Sequence, residues 1–296
     1  MDKGHRYTDK QIEALERRLS RFYKGVSADL IKRLMEYLKQ HEDEINALWE
    51  RLDNGEKVDI EGFINRELNG EINILSEQCV KADQNAMKYV GAAMATVFAF
   101  NNKTQAETLK KKTGIKIPKK KKRLLPPSTD KAKDRLWHRV KIRFVITDGL
   151  RHGRSIDDIA RKMEVVTRMD TNAAYRAART ACTNAENQGK LEAMRTLRDE
   201  FGVDVKKMWF ATLDNRTRTS HRMMHGEIRE LDDEFSNGLQ YPADPDGRDS
   251  SEIWNCRCTL MEVINDFDIP VAPKGMSRSE WEQQKPKYKH YPKRRK

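Results

Sequence analysis

The 296-residue sequence has little that suggests secretion, membrane insertion or a large aromatic core. Aromatic residues make up 7% of the chain and hydrophobic residues 37%, against 35% charged. Such a composition is typical of an elongated helical protein with much solvated surface. The most apolar window, residues 86–100, contains Lys88 and is too short to span a bilayer. Since the first residues are polar and charged, we expect no signal peptide, no membrane association and a cytoplasmic protein.

Cysteine is also scarce, with four in the chain and one close pair, Cys256 and Cys258. This number predicts no disulfide framework and fits a reducing compartment. The sequence also lacks a glycine-rich phosphate loop, a dinucleotide-binding fingerprint and a carboxylate-rich magnesium motif. These absences weigh against the common nucleotide-dependent enzymes.

The net charge of +12 is concentrated in two segments, which we call the basic arms. Residues 103–123 hold ten basic residues and one acid, and residues 285–296 hold seven basic residues and no acid. Because the rest of the chain is mildly acidic, the pattern favours contact with a polyanion such as DNA, although solvated tails would also explain it. The candidate DNA-binding residues are Lys110, Lys111, Lys112, Lys119, Lys120, Lys121, Lys122, Arg123, Lys293, Arg294 and Arg295.

Helical periodicity dominates the first two-thirds of the sequence. Helix signals include a capping box at Thr8, a break at Gly25 and a second capping box at Ser155. We predict a mainly α protein with elongated helical N-terminal and middle regions and a small α+β C-terminal domain. The predicted segments are a helical region (1–100), a basic linker or arm (101–130), a second helical region (131–200), the α+β domain (201–265) and a basic disordered tail (266–296).

Reactive residue types are concentrated between Trp209 and Leu260. Arginine suits carboxylate or phosphate recognition because its planar guanidinium donates two parallel hydrogen bonds. Asp214, Arg216 and Arg218 could therefore bind an anion, or they could form an internal salt-bridge network that fixes a loop. The residue types alone leave both interpretations open.

The same stretch contains a possible metal site at His221, Cys256 and Cys258. Two thiolates and an imidazole suit tetrahedral zinc, but a fourth ligand would have to come from His225, Asp214 or water. The alternative is a pair of buried, reduced cysteines packed beside Trp254. A metal-dependent enzyme, nuclease-like or toxin-like, or a cysteine nucleophile would use the same residues, but no motif of either kind accompanies them.

The order of these motifs resembles that of the head-morphogenesis or minor head proteins of tailed bacteriophages, the group with a Mu F-like C-terminal domain. The resemblance covers residues 155–263 and departs from the family at Ala181-Cys182, where an acidic residue is more usual. The motif residues are Arg179, Thr180, Trp209, Asp214, Arg216, Arg218, His221, Gly226, Asn255, Cys256, Arg257 and Cys258.

The resemblance implies a structural virion component rather than an enzyme, with no required cofactor. It implies a location in the virion head, inside the procapsid, after assembly in the host cytoplasm. The implied partners are the portal protein, the major capsid protein or both, and the implied role is in head assembly, DNA packaging or DNA delivery. The basic arms would add non-specific contacts to double-stranded DNA through its phosphates.

Overall fold

The computed structural model describes residues 3–120, 122 and 124–264. Its helices are α1 (Lys3–Gln40), α2 (Glu42–Asp53), α3 (Ile60–Phe63), α4 (Asn69–Thr113), α5 (Lys131–Arg151), α6 (Ile156–Arg161), α7 (Met163–Phe201), α8 (Thr219–Met223) and α9 (Ser250–Ile253), with a π-helical turn at Ile64–Leu68 before α4. The strands are β1 (Lys206–Phe210), β2 (Ile228–Arg229) and β3 (Thr259–Val263). A mainly α protein with a small α+β C-terminal part is therefore confirmed. Among the described helices, none is long and apolar enough to cross a membrane.

The chain divides into two compact units. The first takes its described residues from Met1–Leu15, Tyr89–Pro126 and Arg176–Lys296, and the second from Glu16–Lys88 and Pro127–Tyr175. The tail predicted at 266–296, together with Lys121, Arg123, Lys293, Arg294 and Arg295, lies outside the described residues.

The first unit contains the sheet, in which β1 is the central strand and pairs antiparallel with both β2 and β3. Trp209, opposite Leu260, is fully buried in the hydrophobic core of this unit. The α7 residues Leu191, Met194 and Leu197 belong to the same core. Because buried residues of α7 and of the sheet share one core, the helix serves as the platform of the C-terminal α+β part.

The second unit has a helical core. It is lined by α1 residues such as Leu30 and Leu34, by residues of α4, and by Ile142 and Ile146 of α5. The Ser155 side chain accepts a hydrogen bond from the Asp158 amide, so the predicted cap of α6 is confirmed. On α5 the helical spacing of Leu136, Val140, Phe144 and Val145 predicts a buried apolar stripe. This prediction is wrong for the first three, which are exposed, whereas the face carrying His138 and Ile142 is buried.

Two helix boundaries differ from the sequence-based prediction. The break at Gly25 is wrong, since α1 continues through it. A glycine inside a helix costs only about 1 kcal/mol, which the burial of Tyr23, Leu30 and Leu34 in the second unit readily offsets.

The second difference concerns the basic linker expected over residues 101–130. Residues 101–113 are helical, because α4 reaches Thr113 before Gly114 ends it with φ 77°. Ala106 and Leu109 are buried in the core of the first unit. The lysines at 110–112 therefore lie in the last turn of a helix that is packed against this core, and not in a loop.

Candidate functional site

Helix α7 holds the turn that contains the two paired cysteines. The Thr183 hydroxyl donates to the Cys256 carbonyl at 2.9 Å, and the Asn187 side chain donates to the Cys258 carbonyl at 3.3 Å and accepts from the Leu260 amide at 2.7 Å. The Thr180 hydroxyl accepts from the amide of Asn255, at 3.0 Å. These contacts satisfy backbone groups that a buried turn would otherwise leave unpaired.

A buried ionic cluster lies beside this turn. The Glu186 carboxylate is 3.1 Å from Nδ1 of His5, accepts from Lys190 at 3.0 Å and from the Thr259 hydroxyl at 2.5 Å. Burial would raise the pKa of Glu186, but the charges of Lys190 and His5 and the hydrogen bonds to His5 and Thr259 hold it below its usual range. The cluster therefore fixes a charged carboxylate inside the first unit and ties residues near both ends of the described chain to α7.

The aspartate and arginine motif forms a clamp across the site. Arg257 donates to Asp214 through both terminal nitrogens, one of them at 2.7 Å. This pair, together with a backbone contact to Arg216, keeps the pKa of Asp214 below its usual range. Arg218 donates to the carbonyl of Trp254, whereas the Arg216 side chain is 72% exposed. The motif thus contributes internal contacts between two loops, which is one of the two interpretations left open by the sequence.

The structure brings His221, Cys256 and Cys258 together. Nδ1 of His221, on α8, lies 3.6 Å from Sγ of Cys256 and 3.4 Å from Sγ of Cys258. All three residues are at most 2% exposed, and their potential ligand atoms lie within 4.8 Å of one another. Their positions fit a site for a single metal ion.

The carboxylate of Glu252 supports the imidazole from its other side. Its Oε2 lies 3.0 Å from Nε2 of His221, and the same carboxylate accepts from Ser220 at 2.9 Å and from Asn237 at 3.3 Å. In the tautomer with its proton on Nε2, the side of the ring that faces Glu252, the lone pair of Nδ1 would be available to the two sulfurs. Sequence reasoning missed Glu252, because nothing in its spacing connects it with His221.

The two thiols of the cluster differ in acidity. Burial raises the pKa of Cys256 well above that of an ordinary thiol. Burial acts in the same direction on Cys258, but hydrogen bonding with Cys256 and with the Thr212 backbone, together with the charge of Arg257, outweighs it and lowers the pKa of Cys258. Cys258 is therefore the thiol that is easier to ionise.

Neither residue considered as a fourth ligand belongs to this group. Nδ1 of His225 accepts a hydrogen bond from the Ala211 amide at 3.1 Å, and burial lowers the pKa of His225 to about 4. Asp214 is engaged by Arg257. The described residues therefore supply three ligands at this place.

Other motif residues have architectural positions. Trp209 packs edge-on against His221, with ring centroids 5.2 Å apart. The tryptophan expected beside the cysteine pair, Trp254, is partly exposed. Gly226 has φ 84° and its amide donates to the Trp209 carbonyl at 2.8 Å. Arg179 is half-buried on α7.

The candidate DNA-binding lysines fall into two groups. Lys112 lies 3.4 Å from Glu262, and Lys120 lies 3.3 Å from Glu192 and 3.5 Å from Glu200. The remaining candidate lysines within the described residues are exposed. These are Lys110, Lys111, Lys119 and Lys122.

A second buried cluster, which the sequence analysis did not single out, lies in the second unit. It contains Cys79, His138 and Asp170, with potential ligand atoms within 4.8 Å of one another. Nε2 of His138 is 2.9 Å from Asp83, and Asp83 accepts from the Tyr23 hydroxyl at 2.6 Å. These residues come from four helices and follow no local spacing rule.

Comparison with known protein families agrees with the motif order. Residues 140–261 match the family described as Phage Mu protein F like protein. No solved structure matches the chain significantly. The matched residues include part of α5, the whole of α7 and the sheet except for the last residues of β3.

Two curated relatives are similar to the chain. The NAD(+)–arginine ADP-ribosyltransferase EFV of Enterococcus faecalis is 30% identical over 134 residues, which are 45% of this chain and 27% of that protein. The minor head protein GP7 of Bacillus phage SPP1 is 29% identical over 158 residues, which are 49% of this chain and 50% of that protein. The chain thus spans a quarter to a half of the length of these relatives.

The fold and the motif contacts define a mainly helical protein with a small Mu F-like α+β part. Residues 140–261 are thus similar to the Mu F-like family, and a phage minor head protein is among the relatives of the chain.

Proposed function

We propose that the protein is a structural component of a phage head that assists head assembly, DNA packaging or DNA delivery. It would act inside the procapsid after assembly in the host cytoplasm, in contact with the portal protein, the major capsid protein or both. The similarity to a minor head protein supports this assignment.

The observation that carries the proposal is the use of the motif residues inside the first unit. Asp214 and Arg257 bind each other, Arg218 binds a backbone carbonyl, and Thr180 accepts from the backbone of Asn255. A catalytic site would need some of these groups to face a substrate. Their mutual contacts fit a rigid module of an assembly better than an enzyme.

The lengths of the shared stretches point the same way. The similar stretch makes up 50% of the minor head protein but 27% of the ADP-ribosyltransferase. It therefore accounts for more of the head protein than of the enzyme. The burial of His221, Cys256 and Cys258 also gives a substrate little access, which weakens the case for a metal-dependent enzyme at that place.

Contact with DNA would be made by the exposed lysines at the end of α4 and in the segment after it. Lys110 and Lys111 are exposed, whereas Lys112 and Lys120 have acidic partners within the chain. A lysine already paired with a carboxylate gains less from a phosphate because it must give up that partner. The DNA-facing set is therefore narrower than the basic composition alone suggests.

Salt-dependent binding to a double-stranded DNA of arbitrary sequence tests this contact. Replacing Lys110 and Lys111 with glutamine should lower the slope of log K against log salt by about 0.9 for each lost phosphate contact. The matched variant, with Lys112 and Lys120 replaced, should change the slope less. Equal slopes for the wild type and both variants would refute DNA contact through this segment.

Particle association tests the assembly role directly. The full chain should co-sediment with procapsids when it is produced together with the portal and major capsid proteins of its own phage. Omitting the portal protein distinguishes the two partners. Absence of the chain from procapsids in every combination would contradict the proposal.

A further inference from the structure

We infer that His221, Cys256 and Cys258 bind a zinc ion that stabilises the first unit. The geometry of the ligand atoms is the first argument. Zinc–sulfur bonds of about 2.3 Å and zinc–nitrogen bonds of about 2.0–2.1 Å at a tetrahedral angle put sulfur and nitrogen about 3.6 Å apart. The observed separations from Nδ1 of His221 are 3.6 Å and 3.4 Å.

Hydrogen bonding alone explains this arrangement less well. Nδ1 of a neutral imidazole has one lone pair, so it can accept a well-directed hydrogen bond from only one thiol. Both sulfurs nevertheless lie at similar distances from it. A single cation located between the three atoms satisfies all of them at once.

The surroundings of His221 also match those of a zinc ligand. Histidine ligands usually donate their second ring N–H to a carboxylate, which fixes the ring orientation and increases the basicity of the coordinating nitrogen. Glu252 Oε2 lies 3.0 Å from Nε2, and hydrogen bonds from Ser220 and Asn237 hold this carboxylate in place. Glu252 is therefore a positioning residue for the ligand.

The choice of zinc follows from the donor types. Thiolate sulfur and imidazole nitrogen suit zinc, whereas magnesium and calcium prefer oxygen ligands. Binding converts two thiols and a neutral imidazole to a zinc dithiolate, and it releases both thiol protons to solvent. The charge of the divalent ion then balances that of the two thiolates. The fourth coordination position has no ligand among the described residues of this cluster.

The burial of the site assigns it a structural role. All three ligands are at most 2% exposed, and the ring of Trp209 packs edge-on against His221. Zinc would connect α8, which carries His221, to the turn before β3, which carries the cysteines. It would therefore add a cross-link between two segments that the contacts of Arg218 with Trp254 and of Ser220 with Glu252 also connect.

Metal analysis of the purified full chain tests the inference. We expect about one zinc ion per chain, or its uptake after incubation with zinc salt under reducing conditions. Cys256→Ser, Cys258→Ser and His221→Ala should each lose most of this zinc. Cys182→Ala is the matched control, because Cys182 is buried in the same unit but lies outside the cluster. Failure of the wild type to take up zinc would overturn the inference.

A second measurement on the wild-type chain avoids variants that fail to fold. Zinc is removed with a chelator and replaced with cobalt, whose absorption reports its ligands. Coordination by the two cysteines should produce an intense thiolate-to-cobalt charge-transfer band that added zinc abolishes. Retention of that band in Cys182→Ala would support the assignment, and absence of the band in the wild type would contradict it.

Discussion

His221 in the first unit and His138 in the second are both buried beside cysteine, yet their other neighbours differ in kind. His221 faces two sulfurs through Nδ1 and one carboxylate through Nε2. His138 faces carboxylates through both ring nitrogens, Asp83 at 2.9 Å and Asp170 at 3.9 Å.

This difference determines what each ring can do. Burial lowers the pKa of His138, but the hydrogen bond to Asp83 and the charges of the nearby aspartates outweigh burial and raise it. A protonated imidazole has no lone pair for a metal. Although Cys79, His138 and Asp170 are close enough to surround an ion, their charges favour a bound proton, whereas the sulfurs beside His221 favour zinc.

The largest expected effect separates the two clusters by their response to a chelator. With zinc in 100-fold to 1,000-fold excess over its Kd, bound metal stabilises the first unit by about 3–4 kcal/mol. Cys258→Ser should lose this stabilisation. Cys79→Ser in the second unit should cost only about 1–3 kcal/mol, the penalty of a buried hydroxyl that lacks a partner. Amide hydrogen exchange of β1 and of α5 reports the two units separately.

The control for this comparison is the same pair of variants in a chelator. Without metal, each substitution destabilises its unit only through the buried hydroxyl. The difference in stability between Cys258→Ser and the wild type should therefore shrink. The effect of Cys79→Ser should stay unchanged. A chelator that destabilises β1 and α5 equally, or neither, would remove the distinction between the clusters.

The next effect concerns protons. Burial, followed by the charge of Asp83, raises the pKa of Asp170 to about 7. Between pH 4 and 7 the folded state therefore keeps a proton that the unfolded state has lost, so the free energy of unfolding of the second unit should fall as pH rises. The raised pKa of His138 acts in the same direction, and its contribution is lost as pH rises through that raised value.

Asp170→Asn should remove roughly one proton from this linkage, about 1.4 kcal/mol per pH unit within the window. The slope of the free energy of unfolding against pH is measured by unfolding the second unit in urea at several pH values, with amide hydrogen exchange as the readout. Asp157→Asn, on the exposed side of α6, is the matched control. An unchanged slope in Asp170→Asn would mean that Asp170 is already ionised in the folded state.

Local signals explain how much of this site could be predicted from the sequence. Cys256 and Cys258 are separated by a single residue, so the sequence alone shows that they lie close together. The resemblance to the phage family places His221 in the same small domain. The cap at Ser155 and the strand containing Trp209 follow from short-range chemistry that acts within a few residues. These features could be read without knowing how the helices pack.

Contacts between distant residues could not be predicted in this way. His5 and Glu186 are 181 positions apart, and His138 meets Asp83 across 55 positions. Helix α1 continues past Gly25 because of packing in the second unit, which no local propensity contains. For Glu186 a weak signal existed, since Lys190 follows it by four residues on a helix rich in small side chains. Glu252 had none.

The smallest effect concerns Glu252, the carboxylate that distinguishes the surroundings of His221 from a simple group of soft ligands. Glu252→Gln keeps the size of the side chain but removes the charge that strengthens Nδ1 as a ligand. We expect a 10–100-fold loss of zinc affinity, about 1.4–2.8 kcal/mol, with the stoichiometry preserved. Competition with a chromophoric chelator measures the affinity. The exposed Glu234→Gln serves as control. Equal affinities of the two variants would mean that the sulfurs and the imidazole hold the metal without help from the carboxylate.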